Sequence, residues 1–183
     1  MNDFFVLDTD PPPHAIVTEP TCLQLVERRL RHFTNESKFS DVTFLVEGKR
    51  VYGHRLILST VSDCFRAMFT TGFKESTQRG CAEIEIPNCS YHTFLSMMEY
   101  MYTGNLMPMD VSTPQGIEHA VEMLELADLF ILEHLKQECE KILQPVVNLD
   151  TLDYLTQVAQ KTNSPQLCAI CSHFQRNIEN NNH

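Results

Sequence analysis

The chain has 183 residues, 43% of them hydrophobic and 21% charged, enough for one good core plus an appendage. Fourteen Lys and Arg stand against 24 Asp and Glu, a net charge of −10, and without a local basic patch such a chain repels a phosphate backbone, so nucleic acid is not an expected partner. Only 6 glycines and no Trp argue for short connections and much helix, and against a glycine-rich phosphate loop.

Residues 1–20, with Pro11, Pro12, Pro13 and Pro20, read as a disordered leader. The leader carries acids where an export signal carries a basic start, and no apolar run approaches the ~18 residues that span a bilayer. An intracellular protein, cytoplasmic or nuclear, is expected, with no membrane contact. From Thr21, Leu23, Val26, Leu30 and Phe33 recur on one helix face, with Arg28, Arg29 and Arg31 opposite. The residues Asn35 to Lys38 break that helix, and residues 41–54 alternate as a hairpin around Glu47-Gly48.

Residues 54–73 predict a short apolar helix stopping at Ser59 to Ser62, then a second helix opening on Ser62-Asp63 and ended by Gly72. Ala82 to Pro87 is a strand, and Ser90 caps a helix from Tyr91 to Tyr102 that Thr103-Gly104-Asn105 terminates. Ile117 to Leu143 carries helical spacing with a joint near Phe130. Beyond Pro145, residues 148–162 read as a helix, and Ser164 with Pro165 starts another. This final pair has one apolar face and little to cover it, as expected of a piece cut from something longer. Residues 118–153 hold nine acids against two lysines, −7 of the net −10.

Chemical motifs are scarce. There is no phosphate-loop pattern, no H-E-x-x-H and no nucleophile elbow. The seven cysteines are odd in number and sit mostly in apolar stretches, which reads as free buried thiols. Cys168 and Cys171 with His173 have metal-like spacing, but a structural zinc site needs four ligands, so the pair is assigned to a helix core. His54 reads as a hydrogen-bonded structural residue. No metal, cofactor or catalytic group is expected, and the chain is not expected to be an enzyme.

The order of the pieces carries more information than any one of them. Residues 39–44 (Phe-Ser-Asp-Val-Thr-Phe), 51–58 (Val-Tyr-Gly-His-Arg-Leu-Ile-Leu), Ser62 with Phe65 to Phe69, Ile84 to Pro87, Tyr102-Thr103-Gly104 and Ala127 to Cys139 resemble the successive signatures of a BTB/POZ domain. The resemblance covers about residues 21–143, and residues 144–183 resemble the helix pair that opens a BACK domain. The wording from Asp41 to His54 leans towards BTB domains of ankyrin-repeat or armadillo-repeat proteins. Potassium-channel tetramerisation domains share the fold, but their zinc-binding His and Cys cluster is missing.

The resemblance implies an α+β class fold: a small sheet flanked by helical hairpins, followed by a C-terminal helix pair. It also implies a homodimer, with Leu23, Val26, Leu30 and Phe33 at the interface and Asp41 and Arg55 as a buried charged pair beside it; the bland alternative for Asp41 is a strand cap. In BTB adaptors that bind cullin-3, a hydrophobic residue, any residue and Glu follow the helix equivalent to residues 64–69. Phe73-Lys74-Glu75 matches, so Phe73 and Glu75 are the implied contacts for the cullin-3 N-terminal domain. The implied function is a dimeric adaptor that brings an unknown substrate protein to a ubiquitin ligase. The alternative is a module recruiting a corepressor or another scaffold without cullin.

Overall fold

The computed structural model describes residues 21–71 and 82–181. Helix α1 (Cys22–Leu30) opens on a reciprocal cap. The Gln24 N–H donates to the Thr21 hydroxyl at 3.3 Å, and the Thr21 N–H donates to the Gln24 side chain at 2.9 Å. A 3-10 turn, Arg31–Phe33, continues it.

Strands β1 (Val42–Val46) and β2 (Lys49–Gly53) form the expected hairpin. Glu47 (φ 48°) and Gly48 (φ 73°) both take the left-handed conformation that a two-residue turn needs to match strand twist. Helices α2 (Arg55–Val61) and α3 (Asp63–Thr71) follow, and β3 (Ala82–Glu85) returns parallel to β1, giving the order β2-β1-β3. A parallel return requires a long crossover, and the α2–α3 hairpin lies on it. Helix α2 ends at Val61 with Ser62 as its C-cap, within the stop expected over Ser59 to Ser62.

Helix α4 (Tyr91–Thr103) starts at the Ser90 cap and ends at Gly104, whose φ of 69° suits a left-handed C-cap. Helix α5 (Pro114–Leu129) begins three residues before the expected Ile117. The signal was present: the Thr113 hydroxyl accepts from the Gly116 N–H at 3.1 Å, and Pro114 stands in the first turn. Residues 130–132 turn the chain, with Ile131 at φ 54°, into α6 (Glu133–Leu143). Helices α7 (Leu152–Lys161) and α8 (Pro165–Asn181) complete the described chain. The fold is α+β, a small sheet in a mostly helical body.

Strand β1 is the centre of the core. Val42, Phe44 and Val46 point to one face and are wholly buried, and Thr43 on the other face is buried too. Phe44 meets Phe94 of α4 at 5.3 Å and Phe65 of α3 at 5.5 Å, and Phe65 stacks on Phe130 at 4.6 Å. The expectation that the last two helices lack cover is corrected here. Leu155, Val158, Ala159, Leu167 and Cys171 belong to the same buried cluster, because α8 packs on both α6 and α7. Among the described residues, no helix is long and apolar enough to cross a membrane.

Candidate functional site

The first helix presents part of its apolar stripe outward. Val26 is 47% exposed, while Leu30 and Phe33 are half-buried within the chain itself. The Leu23 side chain lies outside the described residues. Phe33 sits edge-on to the His54 ring at 5.7 Å and 6.3 Å from Phe39, and α1 packs against α4. At the same end Arg31 pairs with Glu99 at 3.1 Å. Two large apolar residues not singled out in the sequence stand further out: Phe39 is 73% exposed and Leu56, on the first turn of α2, 80%. Leu56 alternates with buried neighbours in an apolar run, so only the helix's orientation reveals that it faces outward.

His54 is held as a structural residue would be. Its backbone N–H and its Nδ1 both meet the Tyr102 hydroxyl, at 2.9 and 2.7 Å, and Nε2 lies 3.3 Å from the Lys38 carbonyl. Burial pushes the Tyr102 phenol up to about 12, so it stays protonated.

Asp41 and Arg55 are brought together, but not as a buried ion pair in the single chain. Asp41 is exposed and Arg55 half-buried. The Asp41 carboxylate accepts the backbone N–H of Arg55 at 2.7 Å, capping α2 from a residue outside the helix. The Arg55 guanidinium lies over the Phe69 ring at 5.4 Å, and its Nε is buried without a hydrogen-bond partner. The capping alternative for Asp41 therefore describes the contact, with α2 in place of a strand. The more buried ion pair lies elsewhere: Lys136, 8% exposed, holds Asp128, 37% exposed, at 2.6 Å across the α5–α6 turn.

Phe73 and Glu75 lie outside the described residues. The helix that leads to them, α3, borders an apolar groove of about 550 Å³ together with the end of β3, α5 and α7. Cys64, Met68, Ile86 and Phe130 line it, and Leu129, 60% exposed, stands on its wall. Lys161 and Glu125, paired at 2.8 Å, mark its polar rim.

A polar network joins α4 to α5. The Glu122 carboxylate accepts from the Ser90 N–H, from the Ser90 hydroxyl at 2.7 Å and from the Thr93 hydroxyl. His119 Nδ1 reaches the Thr93 hydroxyl at 2.9 Å, and its ring lies 4.8 Å from that of His92. Burial pushes the Glu122 carboxyl up, but the Thr93 and Ser90 hydrogen bonds outweigh it and hold the group below its ordinary value. Burial, and then the charge of His92, push His119 down against the pull of Glu122. This network is not foreseen from residue types, since Glu122 reaches a cap 32 residues away.

The described cysteines are all free. Cys89, Cys139 and Cys171 are buried, Cys64 and Cys168 half-buried and Cys22 exposed, which departs from the expected burial. Burial pushes the Cys139 thiol up to about 12 and Cys89 to about 11, so both stay protonated.

A sheet of three strands wrapped by helical hairpins, with β3 parallel to β1, has clear counterparts among known proteins. The profile of the BTB/POZ domain matches residues 30–147. This chain belongs to the BTB/POZ family. It is 35% identical over 142 residues to the ARM repeat protein interacting with ABF2 of Arabidopsis thaliana, covering 78% of this chain and 19% of that protein. It is 30% identical over 138 residues to human Kelch repeat and BTB domain-containing protein 4, covering 75% of this chain and 24% of that protein. The chain thus spans about a fifth to a quarter of the length of these relatives. The BTB domain of human gigaxonin shares the fold, with a TM-score of 0.52 at 20% identity over 70% of this chain and 96% of that one. The BTB domain of zebrafish PATZ1 gives 0.53 at 16% identity over 70% and 98%. Armadillo-BTB and Kelch-BTB proteins are its relatives, and the domain is a protein-interaction module.

Two predictions follow from the geometry of this BTB domain. Asp41→Ala removes one helix cap and is expected to cost about 1 kcal/mol in denaturant unfolding; a loss of about 3 kcal/mol or more would restore the buried-pair reading. Acidification is expected to destabilise in two stages. The folded value of His119 lies below its ordinary 6.5, so the unfolded chain takes up the proton first, and its contribution is lost as pH falls from 6.5 through the folded value. Glu122 adds a second loss as pH falls below 4.5 through its own folded value. Thermal melting of wild type and His119→Gln between about pH 7.5 and 5.5 should show a shallower decline in the variant. Parallel declines would remove His119 from the account.

Proposed function

We propose that this BTB/POZ domain is the dimeric part of a non-catalytic adaptor that docks on cullin-3 and helps bring substrate proteins to a ubiquitin ligase. The observation that carries the reading is the apolar groove bordered by α3, with Leu129 of α5 exposed on its wall; α3 is the helix that precedes the Phe73-Lys74-Glu75 triplet in the chain. A groove with apolar floor and charged rim suits an amphipathic helix of a scaffold protein. The resemblance of Phe73-Lys74-Glu75 to the cullin-binding triplet supplies the identity of that scaffold. Residues 144–183 are assigned to a BACK-like extension whose helix α7 contributes Lys161 and Thr162 to the groove.

Dimerisation is supported by the outward residues of α1 and its surroundings, Val26, Phe39 and Leu56, because covering large apolar side chains is worth roughly 1.5–3 kcal/mol each. Leu30 and Phe33 already contact their own chain, so each has less to gain from a partner than Val26. The hydroxyls of Ser90 and Thr93 serve the α4 cap, and Thr93 is wholly buried, which supports a structural role for the one Ser–Thr–His–Glu group described here. Substrates would be selected by the rest of a longer protein, as the small share of the relatives covered by this chain suggests.

Sedimentation velocity of the full chain at about 20 µM should return a dimer that Val26→Asp dissociates, since a buried carboxylate without a partner is strongly unfavourable. A wild-type monomer would remove the dimer. Calorimetry with the cullin-3 N-terminal domain should show binding that Phe73→Ala weakens by about 2 kcal/mol or more, in a variant that still dimerises and melts as wild type does. No binding by the wild type, or an unchanged affinity in Phe73→Ala, would exclude the cullin mechanism and favour a corepressor or other scaffold.

A further inference from the structure

Glu140 on α6 is the anomaly of the C-terminal half. It is 2% exposed, its Oε1 has no hydrogen-bond partner, and it stands in the wall of a cavity of about 210 Å³ between α6 and the α7–α8 junction. A carboxylate taken out of water without a donor is costly. Lys136, one turn earlier on the same helix face, is not that donor, because its ammonium is held by Asp128 at 2.6 Å. The rest of the cavity wall holds a second carboxylate and three side-chain amides, none of which donates to Glu140 Oε1: Glu133 and Gln137 share the helix with Glu140, and Asn163 and Gln166 lie at the junction.

We propose that this cavity receives an arginine side chain of a partner protein, with Glu140 as its counter-charge. Two carboxylates and three amide oxygens offer a guanidinium more acceptors than an ammonium can use, and a guanidinium's paired N–H groups match a carboxylate. The one cation in the wall is already neutralised by Asp128, so Glu133 and Glu140 leave the cavity negative, and it lies in the segment that carries −7 of the chain's net −10. A metal ion fits less well: among the described residues, no group of three or more His, Cys, Asp or Glu side chains converges to hold one. The inference rests on the chain being a protein-interaction module, but not on cullin docking, because the cavity is lined by none of the residues that line the apolar groove.

The test is a nuclear magnetic resonance titration of the full chain with N-acetyl-arginine methylamide, following the side-chain amides of Gln137, Asn163 and Gln166. Their shifts should move and saturate. Glu140→Gln should weaken that binding about tenfold or more, the size of one lost charge-assisted pairing. The same variant should melt at or above the wild-type temperature, because the unpartnered charge is gone. The neutral citrulline analogue should give no saturating shift. Equal binding by Glu140→Gln, equal binding of the citrulline analogue, or saturation by calcium chloride with none by the arginine compound would each overturn the proposal.

Discussion

Everything in this domain hangs on Phe44. A three-stranded sheet cannot cover itself, and its central strand is buried on both faces, so the sheet persists only while helices close over it. Phe44 is where they close, touching Phe65 of α3 on one side and Phe94 of α4 on the other, in tilted ring contacts worth about 0.5–1.5 kcal/mol each beyond their buried area. The chain of rings continues from Phe65 to Phe130, stacked at 11°, and Phe130 lines the apolar groove. Backbone polarity is closed along the same line. The Ser62 hydroxyl donates to the Phe130 carbonyl at 2.6 Å and accepts from the Phe65 N–H at 3.2 Å, so the start of α3 and the end of α5 are tied twice, once by rings and once by hydrogen bonds.

Charge has a smaller and more local role. Lys161–Glu125 crosses from α7 to α5 and Arg31–Glu99 from the first 3-10 turn to α4, but these side chains are 69% and 35%, and 64% and 27%, exposed. Exposed pairs of this kind contribute at most about 1 kcal/mol, and less in salt. The position of α7 is therefore set by the burial of Leu155, Val158 and Ala159 rather than by its lysine. Lys136–Asp128 is different, because the ammonium has left water. Removing Asp128 strands the buried ammonium, whereas removing Lys136 leaves a carboxylate that still reaches water, and the α5–α6 turn, with Ile131 in a left-handed conformation, is fixed partly by that constraint.

The elements were legible in the sequence because periodicity is a local property. The stripe in α1, the alternation around Glu47-Gly48 and the Ser90 cap needed no knowledge of neighbours. Whatever depended on a distant partner was not legible. The parallel pairing of β3 with β1 is a tertiary choice that six residues of alternating strand do not encode. Asp41 reaches Arg55 through its backbone N–H rather than its guanidinium, and a residue-type argument sees only the opposite charges. Glu122 looked like one acid among many on an acidic helix, yet it closes the N-terminus of α4. The family order of motifs implies where partners would bind, while the exposure of Phe39 depends on the loop before β1, and that of Leu56 and Leu129 on how α2 and α5 are turned against their neighbouring helices.

The separation of the surfaces follows from the same architecture. Val26 lies on α1, which rests on α4, whereas the groove is built from α3, the end of β3, α5 and α7. The two are joined through α4, which meets α5 both by the Glu122 hydrogen bonds and through the rings of Phe94, Phe44, Phe65 and Phe130. Interiors packed at crystal-like density shift between discrete arrangements rather than bending gradually, and these four rings, in contact from α4 to the end of α5, are part of such an interior. Val26 and the groove therefore belong to one packed body, and because they share no lining residue, substitutions at the two should add independently. What relates them is geometry: α1 rests on α4, the groove opens beside α3, and the shared core between them fixes where each faces.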